Sequence, residues 1–126
     1  MTTPTGSPID FRILDRQQVP IRTYAIGETI LAEGGIAKEM YLLRSGRVSV
    51  RVHGKIVEEI GAGGIFGEMA LIDRSPRSAT VVALESCEVV PIDERLFVIL
   101  VQDAPLFALD VMRTLVERIR AMNKRV

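Results

Sequence analysis

Glu68 and Arg77 bracket the apolar turn Met69–Ile72 in "GIFGEMALIDRSPRSAT", residues 64–80. Good helix formers follow Gly67, so "GEMALI" reads as one helical turn whose N–H groups and positive dipole end make an anion site. "DRSP" then reverses the chain, and Arg77 opens the extended segment "RSATVVAL", from which a guanidinium can reach back to the same anion. Arginine binds phosphate bidentately through charge-assisted hydrogen bonds, worth roughly 1.5–3 kcal/mol each. A phosphate dianion would repel Glu68, so the acid suits a different group. A carboxylate beside a helix N-terminus can accept from a sugar hydroxyl, as acidic residues do for ribose in dinucleotide sites. An anion clamp beside a hydroxyl acceptor describes a sugar phosphate with one negative charge. The same residues also permit a structural Glu68–Arg77 ion pair, with Gly67 serving only the turn.

Other chemistries find less support. "GAGGIFG" lacks the dinucleotide-binding spacing, because Phe66 stands where the last glycine belongs, and no β–α–β alternation surrounds it. No Gly-Lys-Ser/Thr follows to make a phosphate loop. His53 is the sole histidine and reads as a turn residue, leaving neither a cupin-like metal set nor a base for Ser75 or Ser78. The single Cys87 excludes an internal disulfide and any multi-cysteine metal site. The expectation is a non-enzymatic protein with no cofactor and no metal.

With 126 residues, 48% hydrophobic and 25% charged, the chain has the size and composition of one soluble globular domain. Sixteen basic and sixteen acidic residues cancel, so no global field steers it to nucleic acid or membrane. "MTTPTGSPID" lacks the basic and apolar regions of a secretory signal, and no apolar run approaches the roughly 18 residues of a membrane span. The expected address is the cytoplasm.

Residues 1–9 read as a mobile tail, and "DFRILDRQQV" (10–19) as a short helix capped by Asp10 with Phe11, Ile13 and Leu14 inward. Short strands follow, seven or eight in all. In the clearest, Val48, Val50 and Val52 alternate with Arg47, Ser49 and Arg51, predicting one buried face between the turns Ser45-Gly46 and His53-Gly54. "KIVEEI", "TVVAL" and "CEVVPID" add others, which together suggest a sandwich, jelly roll or small barrel. Asp93 reads as the N-cap of a helix with Leu96, Phe97 and Leu100 inward, and Pro105 opens a longer one. On that helix Leu109, Met112, Val116 and Ile119 step by 3, 4 and 3, a seam that Leu115 and Met122 widen. Packing of this stripe on the roll is favoured over a dimer contact. Five basic residues and Glu117 in the last 14 positions read as a solvated helix end more readily than as a phosphate or membrane footprint. The organisation predicted is one domain over 10–126, a β-roll at about 20–93 and helices at about 94–124.

"FGEMALIDRSPRSATV" (66–81) resembles the phosphate-binding cassette of cyclic nucleotide-binding domains, which occur in catabolite-activator-type transcription factors, kinase regulatory subunits and cyclic nucleotide-gated channels. "YAIGETILAEGGIAKEMYLLRSGRVSV" (24–50) is similar to the family's opening strands, with turn glycines at Gly27, Gly34 and Gly46. "CEVVPIDERLFVILVQDAP" (87–105) is similar to its last strand and following helix, so the likeness covers about residues 10–120. The resemblance implies an antiparallel, jelly-roll-like β-roll with a short N-terminal helix, a cassette helix and a long C-terminal lid helix.

It further implies that Glu68 accepts from the ribose 2′-hydroxyl and that Arg77 pairs with the exocyclic phosphate oxygens. Backbone N–H groups of Gly67, Met69 and Ala79, with Ser78, would complete the phosphate cradle. Phe66, Val50 and Val52 are pocket walls by position alone. The lid residue should lie on 106–126: Arg118, whose planar guanidinium can stack on a purine, or Thr114 through its hydroxyl. The ligand expected is cyclic AMP first and cyclic GMP second, since Ser78 is compatible with either base. One departure is Gly35, where the family often carries aspartate, expected to lie away from the cassette. No helix-turn-helix segment follows the long helix, so a sensor module, a degenerate non-binding roll used as an interaction surface, and a regulatory piece of a channel or transcription factor all stay open. Direct nucleic-acid binding is not expected, self-association through the C-terminal helix is possible, and the downstream partner is open.

Overall fold

The computed structural model describes residues 19–125. The expected tail over 1–9 and the helix over 10–19, Val19 apart, lie outside the described residues. Eight strands are described: β1 (Arg22–Tyr24), β2 (Thr29–Leu31), β3 (Glu39–Ser45), β4 (Arg47–Val52), β5 (Lys55–Gly61), β6 (Ile65–Phe66), β7 (Thr80–Ala83) and β8 (Cys87–Asp93). A single turn, α1 (Met69–Ile72), lies between β6 and β7, while α2 (Glu94–Asp103) and α3 (Leu106–Arg125) follow β8. The strands form two antiparallel four-stranded sheets, ordered β1-β8-β3-β6 and β2-β7-β4-β5. This is the antiparallel β-roll with flanking helices that the sequence predicts.

The first sheet is buried on both faces, which explains why β3 and β8 read as nearly continuous apolar runs. Tyr41, Leu43, Phe66, Cys87 and Val89 point between the sheets, against Leu31, Val48, Ile60, Val81 and Ala83. Their neighbours Met40, Leu42, Ile65, Val90 and Ile92 point the other way, against Leu100 of α2 and Phe107 and Val111 of α3. The glycine run after β5 carries the chain from one sheet to the other. Gly63 donates to the Leu43 carbonyl at 2.8 Å and the Leu43 N–H to Gly64 at 2.9 Å, so these glycines cross at a corner rather than hold a nucleotide.

The alternation expected in β4 holds only in part: Val48 is buried, but Val50 and Val52 are half-buried like Arg47 and Arg51. Ser49 is fully buried. Arg51 Nε donates to its hydroxyl at 3.0 Å, so the Arg51 side chain folds back along the strand onto Ser49.

Asp93 caps α2 as expected, accepting from the Leu96 N–H at 2.8 Å. Helix α3 corrects the packing expected of its stripe. Phe107, Val111 and Thr114 are buried, whereas Leu109 (40% exposed), Met112 (51%), Val116 (46%) and Ile119 (57%) face outward. At 100° per residue the two faces are roughly 150° apart, so the 107-111-114-118 face takes the sheet and turns the seam away. Leu115 packs at the margin of the buried face, and Met122 is exposed.

Candidate ligand-binding site

Gly67 stands in the left-handed region at φ +73°, a conformation that costs an L-residue with a Cβ about 1–2 kcal/mol. The helical turn starts at Met69, not at Gly67 as the sequence suggests, with Glu68 at its cap. Within that turn the Ala70 N–H donates to Gly67 and the Leu71 N–H to Glu68, at 3.2 and 3.1 Å. One four-residue turn supplies local N–H groups rather than a helix-length dipole. The positive charge at the site therefore comes from arginine.

Arg77 is held from both ends. Its N–H donates to the Gly35 carbonyl at 3.0 Å, and its own carbonyl accepts from Gly34 at 2.8 Å. Its guanidinium donates to the Gly67 carbonyl at 3.1 Å and to the Glu39 carbonyl at 2.7 Å, and lies 5.7 Å from the Tyr41 ring centroid. Gly35 thus touches Arg77 directly, contrary to the expectation that it lies away from the cassette; the β2–β3 loop folds back onto position 77. Tyr41 stacks on Phe66 at 5.4 Å and donates its hydroxyl to Glu39, which also accepts from Arg22 at 2.7 Å. Burial, then the bond to Glu39, pushes the Tyr41 hydroxyl up to about 12. A buried ring with a firmly held proton supports the arginine.

The acid has a partner that no local pattern reveals. Glu68, 6% exposed, accepts from Arg118 Nη1 of α3 at 2.6 Å. Arg118 Nε is shared by both carboxylate oxygens of Glu58 on β5 at 3.2 Å, and its Nη2 donates to the Ile65 carbonyl. Burial alone would lower the Arg118 pKa, but the charges and hydrogen bonds of Glu68 and Glu58 outweigh it and raise the value. Arg118 is therefore a largely covered cation between two carboxylates, not a solvated helix end. The alternative Glu68–Arg77 ion pair does not form: Arg77 spends its donors on backbone carbonyls.

The remaining positions divide clearly. Gly67, Glu68, Arg77 and Arg118 converge on one turn. Phe66 is a core ring between the sheets, Val50 packs at the edge of that core, and Val52 is half-buried. Met69 and Ser78 are exposed and Ala79 is half-buried. Thr114 is buried, and its hydroxyl donates to the Asp110 carbonyl of its own helix at 3.0 Å. Glu58 and Glu39 are site residues that the sequence reading missed. Glu58 lies in "KIVEEI", where an acid reads as a solvent-facing strand position, and its partner is 60 residues away in sequence.

A two-sheet antiparallel roll with a glycine-led turn, a following arginine and a covering C-terminal helix defines a class of small ligand-binding modules. Residues 21–104 match the cyclic nucleotide-binding domain family, and the chain belongs to it. It is 33% identical over 127 residues to the cyclic AMP receptor protein of Thermus thermophilus, covering 91% of this chain and 58% of that protein. The crystal structure of Thermus thermophilus catabolite activator protein superposes with a TM-score of 0.77 at 30% identity, over 90% of this chain and 57% of that one. A PKAR CBD2 domain bound to Sp-2Cl-cAMPS gives 0.74 at 26% identity, over 90% of this chain and 74% of that one. The chain spans just over half the length of the two Thermus proteins.

Proposed function

We propose that this protein is a non-enzymatic, cytoplasmic sensor domain that binds cyclic AMP in preference to cyclic GMP and transmits binding through α3. One observation carries the reading: Arg77 and Glu68 meet at the same left-handed glycine, one bonded to the Gly67 carbonyl and the other the next residue. Arg77 takes the exocyclic phosphate oxygens, exchanging a carbonyl for a charged acceptor, and Glu68 takes the ribose 2′-hydroxyl. The N–H groups of Gly67, Met69 and Ala79, with Ser78, complete the cradle; Val50, Val52 and Phe66 back it, and Thr114 lies on the covering helix. The order of the two nucleotides is supported by the cyclic AMP named for the Thermus relative and by the cAMP analogue held by the PKAR domain. The cytoplasm suits the free, buried thiol of Cys87. A single domain runs over residues 10–126.

Titration calorimetry of cyclic AMP and cyclic GMP into the wild type and Arg77→Ala tests this. Saturation at one site per chain is expected, with cyclic AMP tighter and the variant weaker by roughly 10- to 100-fold. Near-normal affinity in the variant would sink the phosphate assignment, and no heat with either nucleotide would make the roll a partner-binding surface instead. The exposed seam Leu109–Met112–Val116–Ile119 favours one addition, a self-association of two copies through α3.

A further inference from the structure

Arg77 donates to two carbonyls that play different parts. The Gly67 carbonyl, at 3.1 Å, belongs to the turn assigned above to the phosphate, whereas the Glu39 carbonyl, at 2.7 Å, belongs to β3. A phosphate that replaces the first leaves the second as the fixed point from which the guanidinium is aimed. The stability of that fixed point is then a property of the site.

Backbone pairing alone holds it weakly. Glu39 opposite Asp93 is the last pair of the β3–β8 ladder, and on its other side β3 meets β6 only at Tyr41 and Leu42. Ladder ends open more easily than their middles. Side chains tie this one down. Glu39 Oε1 accepts from Arg22 Nη1 of β1 at 2.7 Å and from the Tyr41 hydroxyl at 2.8 Å, and the Tyr41 ring carries the Arg77 guanidinium on its face. Strand β8 separates β1 from β3, so Arg22 reaches across a whole strand to make this contact. The bond to Glu39 is the largest influence on the Arg22 guanidinium and raises its pKa. We propose that Arg22 is a positioning residue for the phosphate: through the Glu39 carboxylate it fixes both the carbonyl and the tyrosine ring against which Arg77 is set. This rests on the assignment of Arg77 to the phosphate. The side chains of Arg22 and Glu39 are 49% and 23% exposed, and ion pairs so open add little to stability. Removing the pair therefore separates aiming from folding.

Calorimetry of cyclic AMP on the wild type, Arg22→Ala, Arg77→Ala and the double variant tests this. Arg22→Ala should weaken binding by roughly 3- to 10-fold in the wild type and by nothing measurable in the Arg77→Ala background, because the effect travels through one guanidinium. Arg77→Lys, which keeps the charge but not the planar fork, serves as a second background with the same expectation. The melting temperature of Arg22→Ala should fall by less than roughly 5 °C. Glu39→Gln, which keeps the main-chain carbonyl, should reproduce the loss of affinity and add nothing to Arg22→Ala. Wild-type affinity in Arg22→Ala while Arg77→Ala is weak, or an equal loss with and without Arg77, overturns the positioning role and leaves the phosphate assignment standing. Binding indifferent to Arg77, or no heat from cyclic AMP, removes that assignment and the positioning role with it.

Discussion

At Gly67 a single missing Cβ sets the geometry of the site. A methyl placed there would lie 2.9 Å from Arg77 Nη1 and 3.2 Å from Leu31 Cδ1, on a backbone already at φ +73°. Gly67→Ala therefore costs about 1–2 kcal/mol in backbone strain and pushes the Arg77 guanidinium off the Gly67 carbonyl. The expected result is a melting temperature lower by roughly 3–10 °C together with weaker cyclic nucleotide binding. Thermal unfolding followed by circular dichroism, with calorimetry on the same sample, checks both. A variant with wild-type affinity would show that the turn does not set the arginine. Glu68 illustrates the opposite dependence, because its backbone is ordinary and its chemistry is set by a side chain 50 residues away.

At the scale of the element, α3 is apolar on two faces, and only one meets the roll. Leaving Leu109, Met112, Val116 and Ile119 in water is unfavourable by roughly 25 cal/mol per Å² of apolar surface, a loss that the proposed self-association would offset by covering the seam. A concentration-dependent dimer is expected in sedimentation equilibrium. The double variant Val116→Glu, Ile119→Glu should raise its dissociation constant at least about tenfold while leaving the fold intact, since neither side chain belongs to the buried clusters. A wild type monomeric at every accessible concentration would remove the self-association. The strands behave more simply: β3, β6 and β8 place successive residues on opposite faces, and both faces are filled.

For the molecule as a whole, the helices and the first sheet share one core, and Arg118 reaches Glu68 only because that core holds α3 in place. Phe107 is its keystone, buried against the sheet and 5.5 Å from the Phe97 ring. Phe107→Ala should cost about 3–5 kcal/mol, read as a lower denaturant midpoint. It should also loosen α3 from Glu58 and Glu68, so exchange around Arg118 should rise by more than exchange in β4 and β7. Uniform acceleration across the chain would mean that the helices do not form a separable layer.

The order of strands and helices, the turn at Gly67 and the Asp93 cap are legible in the chain because they depend on neighbours within a few residues. Period-two alternation, left-handed glycines and capping side chains are all local. The cassette string was readable for the same reason: its arginine and its acid are nine positions apart around one turn. Tertiary structure alone decided the rest. Ser49 is buried in a strand paired on both sides, with its hydroxyl bonded to Arg51. The inward face of α3 could not be chosen from periodicity, since apolar residues at 3.6-residue spacing occur on both sides. The contact of Gly35 with Arg77, and the triad of Glu58, Glu68 and Arg118, join segments 42, 50 and 60 residues apart. Charge pairs of that kind leave no trace in spacing, because only the packing of the sheets and the helix on one another brings their segments together.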